Sequence, residues 1–329
     1  MQPAHRPGAG PIAAPLVYTA GRMNPHEPPS LRTRLDLRRG ILLMCAAVIT
    51  FTLSSTMVKG LGEGYPVSQI VFFRCFLAFL PIFYVMYRAG GWQVLRTKRP
   101  GAHLFRVAVG GVALFVGFYA LTLMPLADYF AFTYAAPLFA TMLSIPILGE
   151  QVGIRRWSAV AVGFVGVLIM LQPGVKTFAY AEMVAIAAAF TYAFAIIAVR
   201  NLARTEHSAS TVFYFTLTGL ILAGVIMPFE WRSPTLKEWG LLLGIGLMSG
   251  VGQLLMTDAY RLAPPAVVAP FDYTSMIWAL ALGYALFGDF PEPVVLVGAV
   301  VVIASGVYII YRETVRGVTR PPIAPTQLK

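Results

Sequence analysis

Arg74 is the residue with the plainest chemical consequence. It stands in Val71-Phe72-Phe73-Arg74-Cys75-Phe76, a stretch with no other charge. A cation in such surroundings costs several kcal/mol unless it faces a water-filled cavity or a partner. Two roles fit it: attraction of an anionic or carboxylate-bearing solute, or a structural ion pair or cap on backbone carbonyls. Asp272, in Pro270-Phe271-Asp272-Tyr273, and Asp258, three residues before Arg261, are the acidic counterparts. A carboxylate inside an apolar run can take up and release a proton as water access changes. Asp258 has the plainer alternative of pairing with Arg261 at i,i+3. Asp128 opens an apolar run, where a carboxylate favours a helix N-terminus, so capping suits it better than chemistry. Arg106, close to the start of another run, reads as a side chain that snorkels to lipid headgroups.

The aromatic residues offer a softer pattern. Tyr119, Tyr134, Tyr192, Phe271, Tyr273 and Trp278, with Phe115 and Phe118, could wall a cavity in which rings stack flat solutes and hydroxyls orient them. Packing or lipid contact accounts for any one of them as well. Cys45 and Cys75 lie in apolar runs and the four histidines lack ligand spacing, so no metal, disulfide or cofactor is expected. Neither a Gly-x-Ser-x-Gly elbow nor a Gly-x4-Gly-Lys-Ser/Thr loop occurs, which argues against an enzyme and against direct ATP drive.

The elements that position these residues follow from composition. Of 329 residues, 58% are hydrophobic and 12% charged, against about 45–50% and 25% in a soluble domain. That leaves too little polar surface to cover a water-soluble globule. About 20 apolar residues in a helix cross a bilayer core of about 30 Å. Ten such runs can be read, at 40–58, 67–87, 104–124, 127–148 and 157–173, then 181–199, 211–228, 239–260, 266–287 and 293–311. Period-2 alternation of the barrel kind is absent, so the expected fold class is an all-α integral membrane protein of ten transmembrane helices. Residues 1–35 read as a disordered tail and 313–329 as a basic cytoplasmic tail. With both termini in the cytoplasm, 17 Lys and Arg fall inside and four outside, the asymmetry that sets membrane orientation. Most of the +11 net charge is thereby a topology signal, not a nucleic-acid surface.

The two halves resemble each other. Ala46-Ala47-Val48-Ile49-Thr50-Phe51 aligns with Ala187-Ala188-Ala189-Phe190-Thr191-Tyr192. Ala120, Pro125, Ala127, Phe132, Tyr134 and Gly149-Glu150 align at one offset with Ala259, Pro264, Ala266, Phe271, Tyr273 and Gly288-Asp289. Glu150 and Asp289, repeated after the fourth and ninth runs, suggest helix termination. Five spans per repeat is an odd number, so the second copy enters the membrane inverted. Such repeats place a shared site near the midplane and allow access to alternate between the two sides. Gly244, Gly246, Gly250 and Gly252 are spaced for close helix approach, or for bending during gating.

These motifs resemble the EamA type of the drug/metabolite transporter superfamily over about 40–311. The most specific portion is Leu121-Thr122-Leu123-Met124-Pro125-Leu126-Ala127-Asp128 through Pro137-Leu138-Phe139 to Leu148-Gly149-Glu150, then Arg155-Arg156-Trp157. Ala269-Pro270-Phe271-Asp272-Tyr273 through Phe287-Gly288-Asp289 is similar in the second copy. The resemblance implies a repeat over 36–175 and an inverted one over 176–312. It also implies a central cavity enclosed by four helices of each repeat, with the fifth and tenth helices peripheral. The implied cargo is a small organic solute: an amino acid, nucleoside, vitamin such as riboflavin, or amphipathic drug. On this reading Arg74 and the aromatic set bind solute, Asp272 and Asp258 couple protons, and the partners are solute and membrane lipids, with a homodimer as a further assembly. The expected location is a bacterial-type inner membrane. A membrane-embedded ligand sensor or intramembrane enzyme is the alternative.

Overall fold

The computed structural model of the protein describes residues 31–316, apart from 63, 89, 149–153, 173–179, 203–204 and 264. Helices form where the apolar runs lie. In the first half these are α1 (Leu31–Gly60), α2 (Val67–Arg88), α3 (Pro100–Leu123), α4 (Leu126–Thr133), α5 (Ala136–Leu148) and α6 (Ile154–Leu171). In the second half they are α7 (Tyr180–Leu202), α8 (Ser208–Ile226), α9 (Leu236–Leu262), α10 (Pro265–Val268), α11 (Ser275–Phe287) and α12 (Pro293–Arg316). The described residues contain no strand. Seven helical stretches are long and apolar enough to cross a membrane, with Trp157–Leu171 and Pro293–Ile309 as shorter apolar helices. Residues 31–35, expected in the tail, instead form the first turn of α1. The rest of that tail, residues 317–329 and Glu150 lie outside the described residues.

The expected runs 127–148 and 266–287 are not single regular helices. Pro137 has no N–H to offer the Thr133 carbonyl, and the chain turns at Tyr134 and Ala135 between α4 and α5. In the second half the chain passes from α10 through a 3-10 segment, Ala269–Thr274, with Pro270 near its start. Irregular backbone survives at membrane depth only where protein or a wet cavity satisfies it. Here the Tyr134 hydroxyl donates to the Tyr273 carbonyl at 3.1 Å and lies 2.7 Å from Ser275 Oγ. The two tyrosines occupy equivalent repeat positions, and their rings meet edge-on at 5.0 Å. Helix α11 ends at Gly288, which takes the left-handed conformation at φ 69°. Its N–H bonds Tyr284 O and the Asp289 N–H bonds Gly283 O, a Schellman-type stop.

Helix pairing carries the repeat relation into three dimensions. Helix α1 packs on α9 and α3 on α7, while α2 meets α8 and α6 meets α12. Exchanging the halves maps the first pair onto the second and each of the others onto itself. The contact of α2 with α9 has its mate in that of α3 with α8. In lipid these contacts depend on small residues that let backbones approach. Helix α9 is wedged between α1 and α2 in this way. A Cβ at Gly250 would stand 2.8 Å from the Ala78 Cα, and one at Gly252 would stand 2.7 Å from Thr50 Oγ1. Ser54 and Ser249 hydroxyls, 2.8 Å apart, close the same seam.

Candidate functional site

Tyr192 marks the interior site. Its helical neighbours Ala188, Ala189 and Ala195 are all buried, so it stands on the inward face of α7, yet its side chain is 40% exposed. A residue turned inward and still open to solvent faces a cavity. Asp272, in the 3-10 segment, has the same signature: it is solvent-accessible while lying deep among protein atoms. Tyr192 is within electrostatic reach of Asp272 and Tyr260 on the second repeat, and of Arg106 and Tyr129 on the first. Tyr192 is thus the side chain that lies within reach of both the carboxylate of the irregular segment between α10 and α11 and the cation of α3.

Arg106 does not snorkel. It is 5% exposed, enclosed by protein, with its guanidinium carbon 4.0 Å from the centroid of the Phe215 ring on α8. Gly110, one turn on, makes room for it, since a Cβ there would collide with Arg106 Nη1 and approach Phe215 to 2.9 Å. Arg74 on α2 is 8% exposed, with its guanidinium carbon 5.6 Å from the Phe118 centroid, and it lies within electrostatic reach of Arg106 and Tyr129. Arg74 Nε and Arg106 Nε and Nη1 are buried without a hydrogen-bond partner. Sequence reading missed Arg106, Tyr129 and Tyr260. For Arg106 the signal was present in the glycine four residues later, on the same helical face.

The other expected site residues are dispersed. Tyr119 lies near the end of α3 and is 39% exposed, its ring meeting that of Tyr180 at 6.3 Å. Tyr134 and Tyr273 are buried at the seam between the repeats, where the Tyr273 hydroxyl abuts Gly306 of α12. Phe271 packs against the cluster of Met44, Ala259, Ala263 and Val268. Trp278 is partly exposed on α11. Asp258 has Arg261 at 3.6 Å. Asp128 sits in the first turn of α4. Of the residues expected in the site, Tyr134, Tyr192 and Tyr273 lie within electrostatic reach of Asp272, whereas Arg74 reaches Arg106 and Tyr129 instead.

Polar contacts close the molecule at both ends. At one end, Gln69 at the start of α2 both donates to and accepts from the Arg232 backbone, at 2.8 and 3.1 Å, and Ser68 donates to Glu230. At the other, Arg99 donates to the carbonyl and side chain of Asn201, Thr97 donates to Glu206, and His103 stands 3.6 Å from Glu206. The α8–α9 connection at the first end and the α2–α3 connection at the second are repeat equivalents.

The fold is that of an all-helical protein with membrane-spanning helices, and the comparisons with known proteins name its class. The chain belongs to the EamA-like transporter family, whose profile matches residues 38–172 and 179–312. It is similar to a pseudopaline exporter of Pseudomonas aeruginosa, 29% identical over 273 residues covering 82% of this chain and 95% of the relative. An S-adenosylmethionine uptake transporter of Rickettsia prowazekii is 29% identical over 290 residues, 86% and 95% of the two chains. A riboflavin transporter of Vibrio cholerae is 29% identical over 284 residues, 84% and 94%. A solved crystal structure shares the fold at a TM-score of 0.59 with 19% identity, covering 85% of this chain and 96% of the other. The protein is a membrane transporter of small organic molecules and not an enzyme.

Proposed function

We propose that the protein is a secondary active carrier that moves a small organic metabolite by alternating access. Ten membrane-spanning segments, in inverted repeats over 36–175 and 176–312, would sit in an inner membrane with both termini cytoplasmic, as the distribution of Lys and Arg suggests. The observation that supports this reading is that Tyr192, on the inward face of α7 yet 40% exposed, lies within electrostatic reach of Asp272 of the second repeat and Arg106 of the first. Repeat-related closures stand at either end of the molecule. Solutes such as those named for the relatives, each a polar molecule with a flat ring or acidic groups, define the class. Tyr192 offers the ring a face, Arg74 offers charge, and Asp272 is the proton site that couples flux to the gradient. Asp258, with Arg261 beside it, is the second proton candidate from the sequence, and its ion pair favours a structural part.

The experiment is flux in proteoliposomes for amino acids, nucleosides, riboflavin and S-adenosylmethionine, with and without an imposed proton gradient. The expected result is flux of at least one solute, accelerated by the gradient. Asp272→Asn should abolish the acceleration and leave solute exchange intact. Wild-type protein that is folded, reconstituted and inert toward the whole panel would sink the carrier reading. Gradient-driven flux that survives Asp272→Asn would remove the proton from that residue.

A further inference from the structure

We infer that Arg106, with Arg74 beside it, docks an oxyanionic group, carboxylate or phosphate, carried by the transported solute. This rests on the carrier reading and names the chemistry of its cargo. A buried guanidinium kept for structure is normally saturated with acceptors, because an unpaired buried charge is expensive. Even Arg99, only half-buried, is well supplied, with three hydrogen bonds across to Asn201 and Thr205. Arg106 does not: its Nε and Nη1 are buried and unbonded, and among the described residues it has no ion pair. The Phe215 ring compensates one face of the guanidinium but accepts none of its in-plane N–H donors, which are arranged as a fork for a planar oxyanion.

Two features hold that fork in place: Phe215 stacks beneath it, and Gly110 leaves free the space that Nη1 occupies. Arg74, also buried with an unbonded Nε, adds a second positive charge close enough to be felt at Arg106. Two like charges inside a membrane protein repel, and an arriving anion relieves that repulsion. The two cations are confined to the first repeat, since Phe213 and Ile245 stand at the aligned positions of the second. The residue aligned with Asp272 is Thr133, at the offset that pairs Tyr134 with Tyr273. The cations thus belong to one repeat and the acid to the other, and this asymmetry would favour one orientation for a solute with an acidic group.

The test uses the full chain in detergent and in proteoliposomes, with matched ligand pairs. S-adenosylmethionine and its decarboxylated form differ by a carboxylate; riboflavin 5′-phosphate and riboflavin differ by a phosphate; amino acids and their amines extend the first comparison. In at least one pair the acid should bind or compete about tenfold or more tightly than its neutralised partner, the scale of a charge-assisted hydrogen-bonded pair. Which pair shows the preference separates carboxylate from phosphate. Arg106→Gln should erase the preference and Arg106→Lys restore part of it. Gly110→Ala should also erase it, because its methyl displaces the guanidinium while the charge stays. That variant carries the test if Arg106→Gln does not fold. Equal binding of acid and neutral partners, or a preference that survives Gly110→Ala and Arg106→Gln, overturns the proposal. Flux without acid preference defeats this inference alone. No binding or flux of any member defeats it together with the carrier reading.

Discussion

At the scale of single residues, type did not predict place. Tyr134 and Tyr192 look alike in the sequence, each an amphipathic ring inside an apolar run. Tyr192 is 40% exposed on the inward face of α7, whereas Tyr134 spends its hydroxyl on the Tyr273 carbonyl in the irregular segment of the other repeat. Whether a hydroxyl is committed depends on backbone seen only in three dimensions, and the repeat alignment could not separate an axis from a cavity. Tyr134→Phe keeps the ring and removes the bonds to Tyr273 O and Ser275 Oγ. It should lower stability by about 1 kcal/mol, the net worth of a buried hydrogen bond, and leave solute preference unchanged. Denaturant unfolding in detergent, followed by competition assays on the folded fraction, checks both. A change in which solutes compete would place Tyr134 in the solute path.

At the scale of elements, the sequence was informative about where helices run and silent about where they break. Length and apolarity are local properties, so most expected runs coincide with helices to within a few residues. Breaks are not local. Pro81 and Pro146 lie inside α2 and α5, while Pro137 follows a turn. A proline in a membrane helix is tolerated or disruptive according to what re-satisfies the freed groups, which the linear sequence does not display. The glycines of α9 read more directly, because close approach demands them whatever the rest of the fold does. Gly250→Val should force α9 from α2, since even a Cβ would meet Ala78 Cα at 2.8 Å. A loss of about 1–3 kcal/mol or more is expected from such overpacking. Gly240 has open space around its Cβ position, so Gly240→Ala in the same helix should be neutral or stabilising by up to about 1 kcal/mol. Yield of monodisperse protein and thermal midpoint distinguish the two. If Gly250→Val proves as stable as Gly240→Ala, the wedge of α9 between α1 and α2 is wrong.

At the scale of the whole molecule, the repeat relation makes the two end closures comparable in chemistry as well as position. Gln69 fastens the α8–α9 connection with two hydrogen bonds to Arg232, and Glu206 fastens the α2–α3 connection through Thr97 and His103. Both are closed at once here. A carrier that alternates must release one while keeping the other, so each set of bonds weights one of two open states. Individual hydrogen bonds are worth about 0.5–1.5 kcal/mol net. Deleting the two at Gln69 should therefore shift the balance between open states by about five- to a hundredfold, and deleting the one from Thr97 to Glu206 by about two- to tenfold. With Cys45 and Cys75 replaced by serine and Tyr192→Cys as reporter, Gln69→Ala should raise labelling by a membrane-impermeant thiol reagent applied from the side bearing the start of α2. Glu206→Ala should raise it from the opposite side, and the two substitutions together should raise it from both. Labelling that increases from the same side for both variants, or from neither, would mean these contacts hold the fold together without gating the cavity.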